Sequence, residues 1–204
     1  MSPKYFYIAD WHYNHANIIA HDNRPFRTKE EMNVALIERW NGVVSPRDTV
    51  FVLGDMFCHV KPKEAVRVLR TLNGKKVLIR GNHDYLTRDD EFCAEFERIC
   101  EYLELEDGWQ TVVLCHYPIP CFHRHFEEAW CHLYGHVHNG FEWNMMERFK
   151  IAMEDLGNYC NMYNTGAMMP WMDYTPRTLS EISTGAESFS WRMEKPNRNE
   201  EKWA

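Results

Sequence analysis

Short apolar runs alternate with longer mixed segments along the first two thirds of the chain. Four of these runs are each directly followed by a polar motif, and they occupy residues 5–9, 50–53, 77–79 and 112–114. Their length and their Val, Ile, Leu and aromatic content predict buried strands. Apolar residues at helical spacing between the runs predict helices over 14–20, from the capping residue Thr28 to about Trp40, over 62–72, and from Asp89 or Asp90 through Phe96.

The second half of the chain has a less regular pattern. Strands are predicted at 102–105, 110–114, 150–153, 159–164 and 186–193, and loops rich in Trp, Met and aromatic residues at 140–148 and 164–176. Alternating strands and helices over 204 residues predict one α/β domain, which we place at 1–193. The charged segment 194–204 is expected to be a mobile tail or a partner-dependent extension.

Five polar motifs stand at the ends of predicted strands. They are Asp10-Trp11-His12, Gly54-Asp55, Gly81-Asn82-His83-Asp84, Cys115-His116-Tyr117-Pro118 and Gly135-His136-Val137-His138. Because ligands of open α/β sheets collect outside the carboxyl ends of the strands, we expect these motifs to meet in one crevice.

The side chains of these motifs are metal ligands by type. A carboxylate and an imidazole two residues apart, as in Asp10 and His12, lie on the same side of an extended chain and can bind one ion. A carboxylate has two oxygens, so Asp55 is the candidate that bridges two cations. The remaining candidate ligands are the Asn82 amide oxygen and the imidazoles of His116, His136 and His138, whereas His83 is free to act on a substrate.

These residues resemble the five-motif signature of the calcineurin-like metallophosphoesterase superfamily, over about two thirds of the chain. The segments 23–26, 115–118, 133–138 and 164–167 are similar to those of small stand-alone bacterial and phage phosphoesterases. The resemblance implies a four-layer α/β sandwich of two mixed sheets flanked by helices. It also implies one metal on Asp10, His12 and His138, a second on Asn82, His116 and His136, and Asp55 between the two.

The same resemblance implies hydrolysis of a phosphomonoester or phosphodiester by a hydroxide that bridges two divalent ions. His83 would protonate the leaving oxygen, Asp84 would orient the His83 imidazole, and Arg24 is a candidate phosphate contact. The mixed nitrogen and oxygen ligands suit Mn, Fe, Zn, Ni or Co without selecting among them.

One departure from the family pattern narrows the possible functions. Residues 54–59 lack the aspartate and arginine that extend the second motif of protein serine/threonine phosphatases, which disfavours that activity. A catalytically silent scaffold or binding protein with the phosphoesterase fold is the alternative, although such members usually lack ligands that are present here. The substrate is expected to be a small phosphoester or a nucleotide, and the sequence does not separate the possible classes.

Composition limits the partners. A formal net charge of -7 disfavours stable binding of duplex nucleic acid, and the apolar runs are too short to span a membrane.

The seven cysteines are widely spaced, and the start of the chain does not resemble a signal peptide, so a cytoplasmic protein with reduced thiols is expected. The oligomeric state is not predicted. Five histidines lie outside the motifs and are expected on the surface or in loops: His21, His59, His123, His125 and His132.

Overall fold

A parallel sheet forms the first half of the fold in the computed structural model, which describes residues 2–190. Its four strands follow one another in chain order: β1 (Tyr5–Ile8), β2 (Thr49–Val52), β3 (Lys75–Ile79) and β4 (Arg98–Cys100). Ile8 pairs with Val52, and Val52 pairs with Leu78. The first three strands therefore end at one level, and the three motifs that follow them start side by side.

A mixed sheet forms the second half. Its strands are β5 (Tyr102–Asp107), β6 (Gln110–Cys115), β7 (Trp130–Tyr134) and β8 (Asn161–Asn164), also in chain order. Strands β5 and β6 form an antiparallel hairpin, whereas β6, β7 and β8 run parallel. His116 and Gly135 consequently emerge from neighbouring strand ends.

The two sheets are joined where β1 and β8 end. Ala9 forms a parallel bridge with Gly166, and the Ala9 amide donates to the Thr165 carbonyl at 2.8 Å. Tyr7 also pairs with Arg177 in an antiparallel bridge. These bonds bring the first motif, after β1, beside the last motif, after β7.

Helices flank the sheets. They are α1 (Ala16–His21), α2 (Lys29–Val43), α3 (Pro62–Thr71), α4 (Asp90–Cys93), α5 (Phe141–Asp155) and α6 (Leu179–Ser190). Thr28 caps α2, since its hydroxyl accepts a hydrogen bond from the Glu31 amide at 3.1 Å. The predicted α/β sandwich of two sheets flanked by helices is confirmed, with the first sheet parallel throughout.

Several predictions for individual elements were wrong. The predicted loop 140–148 and strand 150–153 both belong to α5, where Trp143, Met146, Phe149 and Met153 form a stripe at helical spacing against the core. The predicted strand 186–193 begins inside α6, which packs on the core through residues such as Ile182 and Ala186. The predicted helix from Asp89 or Asp90 through Phe96 is helical only to Cys93, and Asp89 is its cap.

The remaining outcomes concern single residues and the chain ends. His132 was expected on the surface or in a loop but is fully buried in β7. Its ring can be buried because its nitrogens form hydrogen bonds with the Val113 carbonyl at 3.0 Å and the Ile119 amide at 3.1 Å. The predicted tail 194–204 lies outside the described residues. Within residues 2–190, none of the helices has the length and apolar content needed to cross a membrane.

Candidate metal centre

The motif residues share an unusual backbone conformation at the strand ends. Asp10, His12, Asp55, His136 and His138 all have positive φ, between 47° and 71°. Non-glycine residues rarely adopt this left-handed region, and it costs free energy that surrounding contacts must offset. Strained residues of this kind are often found at functional sites. Here they are the residues whose side chains face one crevice.

Asp55 lies at the centre of this crevice. One of its carboxylate oxygens, Oδ2, is 3.8 Å from His12 Nε2 and 3.6 Å from His116 Nε2. The other oxygen, Oδ1, accepts a hydrogen bond from the His83 amide at 2.8 Å. A single buried carboxylate therefore lies between the first and the fourth motif, as a bridging ligand would.

A first group of ligand atoms forms on one side of Asp55. Asp10, His12 and His138 each offer one atom, and these atoms lie within 4.8 Å of one another. Both ring nitrogens of His12 are buried and have no hydrogen-bond partner within the described part of the chain. Burial and then the charge of Arg24 lower the pKa of His12 to about 2, so its imidazole is neutral and able to bind a metal. Unpartnered buried nitrogens are rare, and a cation in this group would satisfy Nε2, the nitrogen that faces Asp55.

A second group forms around the Asn82 amide. Its oxygen lies 3.0 Å from His116 Nε2 and 2.9 Å from His136 Nδ1. The other nitrogen of His116 lies 2.8 Å from the Leu53 carbonyl, which fixes the ring so that Nε2 faces the crevice. Asp10, Asp55 and His116 also place one ligand atom each within 4.8 Å of one another, so the two groups are contiguous.

His83 and Asp84 are adjacent in sequence but occupy different environments. The His83 side chain is exposed, and its ring centroid lies 5.7 Å from that of His12. Asp84 is buried, and its carboxylate accepts from the amides of Asp55 at 2.9 Å, Met56 at 3.1 Å and Gly81 at 2.7 Å. Asp84 therefore holds the second and third motifs together through their backbones.

Asp22 was missed by the sequence analysis, although it contacts the centre directly. Its side chain is completely buried, and Oδ1 lies 2.7 Å from His138 Nδ1. The aspartate fixes the ring of His138 and directs Nε2 toward Asp10, 4.0 Å away. Burial opposes the ionised carboxyl, but the bonds from His138 and Arg24 hold the pKa of Asp22 well below its usual range. A carboxylate behind a histidine ligand raises its basicity and fixes its tautomer.

Arg24 is buried behind the first motif and bonded to its backbone. Its side chain is fully buried and donates to Asp22 Oδ2 through Nε at 2.9 Å and Nη2 at 2.8 Å. It also donates to the backbone carbonyls of Asp10 at 2.9 Å and Trp11 at 3.0 Å. With its donors used in this way, Arg24 fixes the first motif and the Asp22 carboxylate. We therefore assign it this supporting role in place of the predicted phosphate contact.

Two motif glycines are required by close approach. A Cβ at Gly54, where φ is +86°, would collide with the His116 ring. A Cβ at Gly81 would collide with the Asp55 carboxylate and its amide. The glycines of the second and third motifs thus make room for the side chains that converge on the centre.

This geometry agrees with comparison to known proteins. A family model described as calcineurin-like phosphoesterase matches residues 4–165. The chain belongs to the calcineurin-like phosphoesterase family. Proteins of this family normally bind divalent metals, and the donor set described above fits such ions by ligand type.

Two similar proteins have no established function. The chain is 42% identical over 136 residues to the uncharacterized protein MJ1445 of Methanocaldococcus jannaschii, a match that covers 66% of this chain and 69% of that protein. It is also similar to the crystal structure of AQ665, a protein of unknown function from Aquifex aeolicus, with a TM-score of 0.65 and 28% identity. That match covers 90% of this chain and 99% of the Aquifex chain.

Proposed function

We propose that the protein is a hydrolase of small phosphoesters that uses two divalent metal ions. The observation that carries the proposal is the position of Asp55 Oδ2, 3.8 Å from His12 Nε2 and 3.6 Å from His116 Nε2. A carboxylate shared by two groups of nitrogen and oxygen ligands is the arrangement expected of a dinuclear centre.

The ligand assignment follows the two groups. Asp10, His12 and His138 would hold one ion, Asn82, His116 and His136 would hold the other, and Asp55 would be shared. When bound, two such ions would supply Lewis acidity to the phosphoryl oxygens and to a water molecule. Mn, Fe, Zn, Ni and Co all suit these donors, and we expect Mn or an Fe-containing pair in the cell.

The protein contributes positioned groups around the phosphoryl site. His83 is exposed at the edge of the crevice, and its backbone amide is fixed by Asp55 Oδ1 at 2.8 Å. Its imidazole can give a proton to the leaving oxygen or stabilise the charge that develops there. Asp84 fixes the backbone around Asp55, because its carboxylate accepts hydrogen bonds from the backbone amides of Asp55, Met56 and Gly81.

The proposed substrate is a phosphomonoester or phosphodiester of modest size, including nucleotides. Arg80, another basic residue near the third motif, forms an ion pair with Glu101. Negative phosphate charge is therefore expected to be met chiefly by the metals and by hydrogen bonds from imidazoles at the mouth of the crevice.

Hydrolysis of two chromogenic esters tests the proposal. Metal-stripped protein is assayed with p-nitrophenyl phosphate and bis-p-nitrophenyl phosphate, with and without Mn²⁺, beside the His83→Ala variant. We expect Mn²⁺-dependent release of nitrophenol that falls at least 100-fold in the variant while its metal content is unchanged, since about 100-fold is the lower end of the usual range for proton transfer by a side chain. A protein that binds two equivalents of Mn²⁺ and releases nothing from these esters or from a panel of nucleotides would contradict the proposal and favour a scaffold.

A further inference from the structure

A second cluster of metal-ligating side chains lies beside the centre. His15, Cys58 and His59 each offer one ligand atom, and these three atoms lie within 4.8 Å of one another. None of the three belongs to the ligand set of the dinuclear centre. The ring of His12 lies between the two sites, with its centroid 5.3 Å from His15 and 5.2 Å from His138.

The backbone holds this cluster in place. Tyr13 and Phe57 form a parallel bridge, and the Cys58 amide donates to the Tyr13 carbonyl at 3.0 Å. The Asn14 side chain donates to the His59 carbonyl at 3.0 Å. Both Asn14 and His59 have positive φ, 67° and 53°. Two short loops are therefore tied together in strained conformations that put His15 next to Cys58 and His59.

One ring nitrogen of the cluster points to an ion in this position. Among residues 2–190, the buried His15 Nδ1 has no hydrogen-bond partner. A buried polar atom without a partner costs free energy, which an ion at this position would offset.

We propose that His15, Cys58 and His59 form a third metal site, separate from the dinuclear centre and selective for a borderline-soft divalent ion such as Zn²⁺. One thiolate and two imidazoles are ligands that Zn²⁺ and Co²⁺ prefer, whereas Mn²⁺ prefers oxygen-rich sites. On binding, the Cys58 thiol gives its proton to solvent, the metal–sulfur bond forms, and water ligands leave the aqueous ion. Three protein ligands leave a fourth position for water or a substrate oxygen.

Cobalt spectroscopy distinguishes this site from the dinuclear centre. The centre has only nitrogen and oxygen ligands, so a thiolate-to-cobalt charge-transfer band in the near ultraviolet reports a cysteine ligand alone. Co²⁺ is titrated into the metal-stripped full-length protein, and bound metal is counted after gel filtration. We expect the band to appear, three equivalents to bind, and Zn²⁺ to displace Co²⁺ and remove the band.

Variants identify the ligands independently of catalysis. Cys58→Ala and His59→Gly should each abolish or strongly weaken the band and lower bound metal from three equivalents to two. Glycine tolerates the positive φ of the exposed His59 position, so this variant tests the site even if loss of the buried Cys58 side chain impairs folding. Cys93→Ala, in α4, is the control and should keep the band. A band that survives Cys58→Ala, or wild-type protein that shows no band at saturating Co²⁺, would overturn the proposal whatever the hydrolytic activity.

Discussion

Replacement of Asp22 by asparagine is expected to weaken both metal binding at the candidate centre and the stability of the fold. The aspartate accepts from His138 Nδ1 at 2.7 Å and from the Arg24 guanidinium at 2.8 and 2.9 Å. Asparagine keeps the shape and one acceptor oxygen but removes the negative charge. We expect His138 to lose its fixed orientation and part of its basicity as a metal ligand.

The size of both effects follows from these contacts. Loss of a carboxylate behind a histidine ligand weakens metal affinity by about 10- to 100-fold. At about 1.4 kcal/mol per factor of ten, this is about 1.4 to 2.8 kcal/mol. The fully buried Arg24 also loses its ionic partner, for which we expect a destabilisation of about 3 kcal/mol, the low end of the range for a broken buried pair.

The assay combines Mn²⁺ titration calorimetry with urea unfolding of the metal-free protein, and Asp48→Asn is the matched control. Asp48 is also a buried carboxylate, and it accepts from the Lys4 and Ser45 amides at 2.8 and 2.7 Å at the opposite ends of the strands. The control should lose stability and keep metal affinity. If Asp22→Asn binds Mn²⁺ as tightly as wild type, or if Asp48→Asn weakens binding equally, the reasoning about Asp22 is refuted.

Three further predictions use other parts of the structure. Asp55→Asn should lower the content of both metals together, as measured by elemental analysis. Full retention of either ion would contradict the assignment of Asp55 as the ligand that both ions share. Burial lowers the pKa of His132 from 6.5 to about 4, so the unfolded state binds the proton first as the pH falls. The free energy of unfolding should therefore be highest above pH 6.5 and should fall by about 3 kcal/mol between pH 6.5 and pH 4. His132→Gln should flatten that part of the pH profile in urea titrations, and an unchanged slope would contradict it. Thr28→Ala should cost about 1 kcal/mol in the same assay through loss of the α2 cap, and no change would rule the cap out as a source of stability.

The first three strands of the parallel sheet and the convergence of the motifs were predictable because each short apolar run ends in chemistry-bearing residues, whereas β4 was not predicted. Parallel strands with matched registers bring such residues together, and the pairs Ile8–Val52 and Val52–Leu78 do so here. The capping pattern at Thr28 was likewise local and therefore visible in the sequence.

The parts that were not predicted depend on contacts distant in sequence. Asp22 is 116 residues from His138 and belongs to no motif, so only the folded chain shows that they meet. Arg24 is fully buried beside Asp22 and forms an ion pair with it. No sequence motif indicates this position either. In α5, four large apolar residues at helical spacing were available as a signal, but Trp, Met and Phe in a short window also suit a loop or a strand.

Turnover measured against added Mn²⁺ tests the central claim most directly. Metal-stripped protein is supplied with increasing equivalents of Mn²⁺, and hydrolysis of the preferred nitrophenyl ester is recorded at each step. The dinuclear assignment predicts that activity stays low up to one equivalent and reaches its plateau at two. A plateau at one equivalent, or equal activity in the metal-free protein, would contradict it.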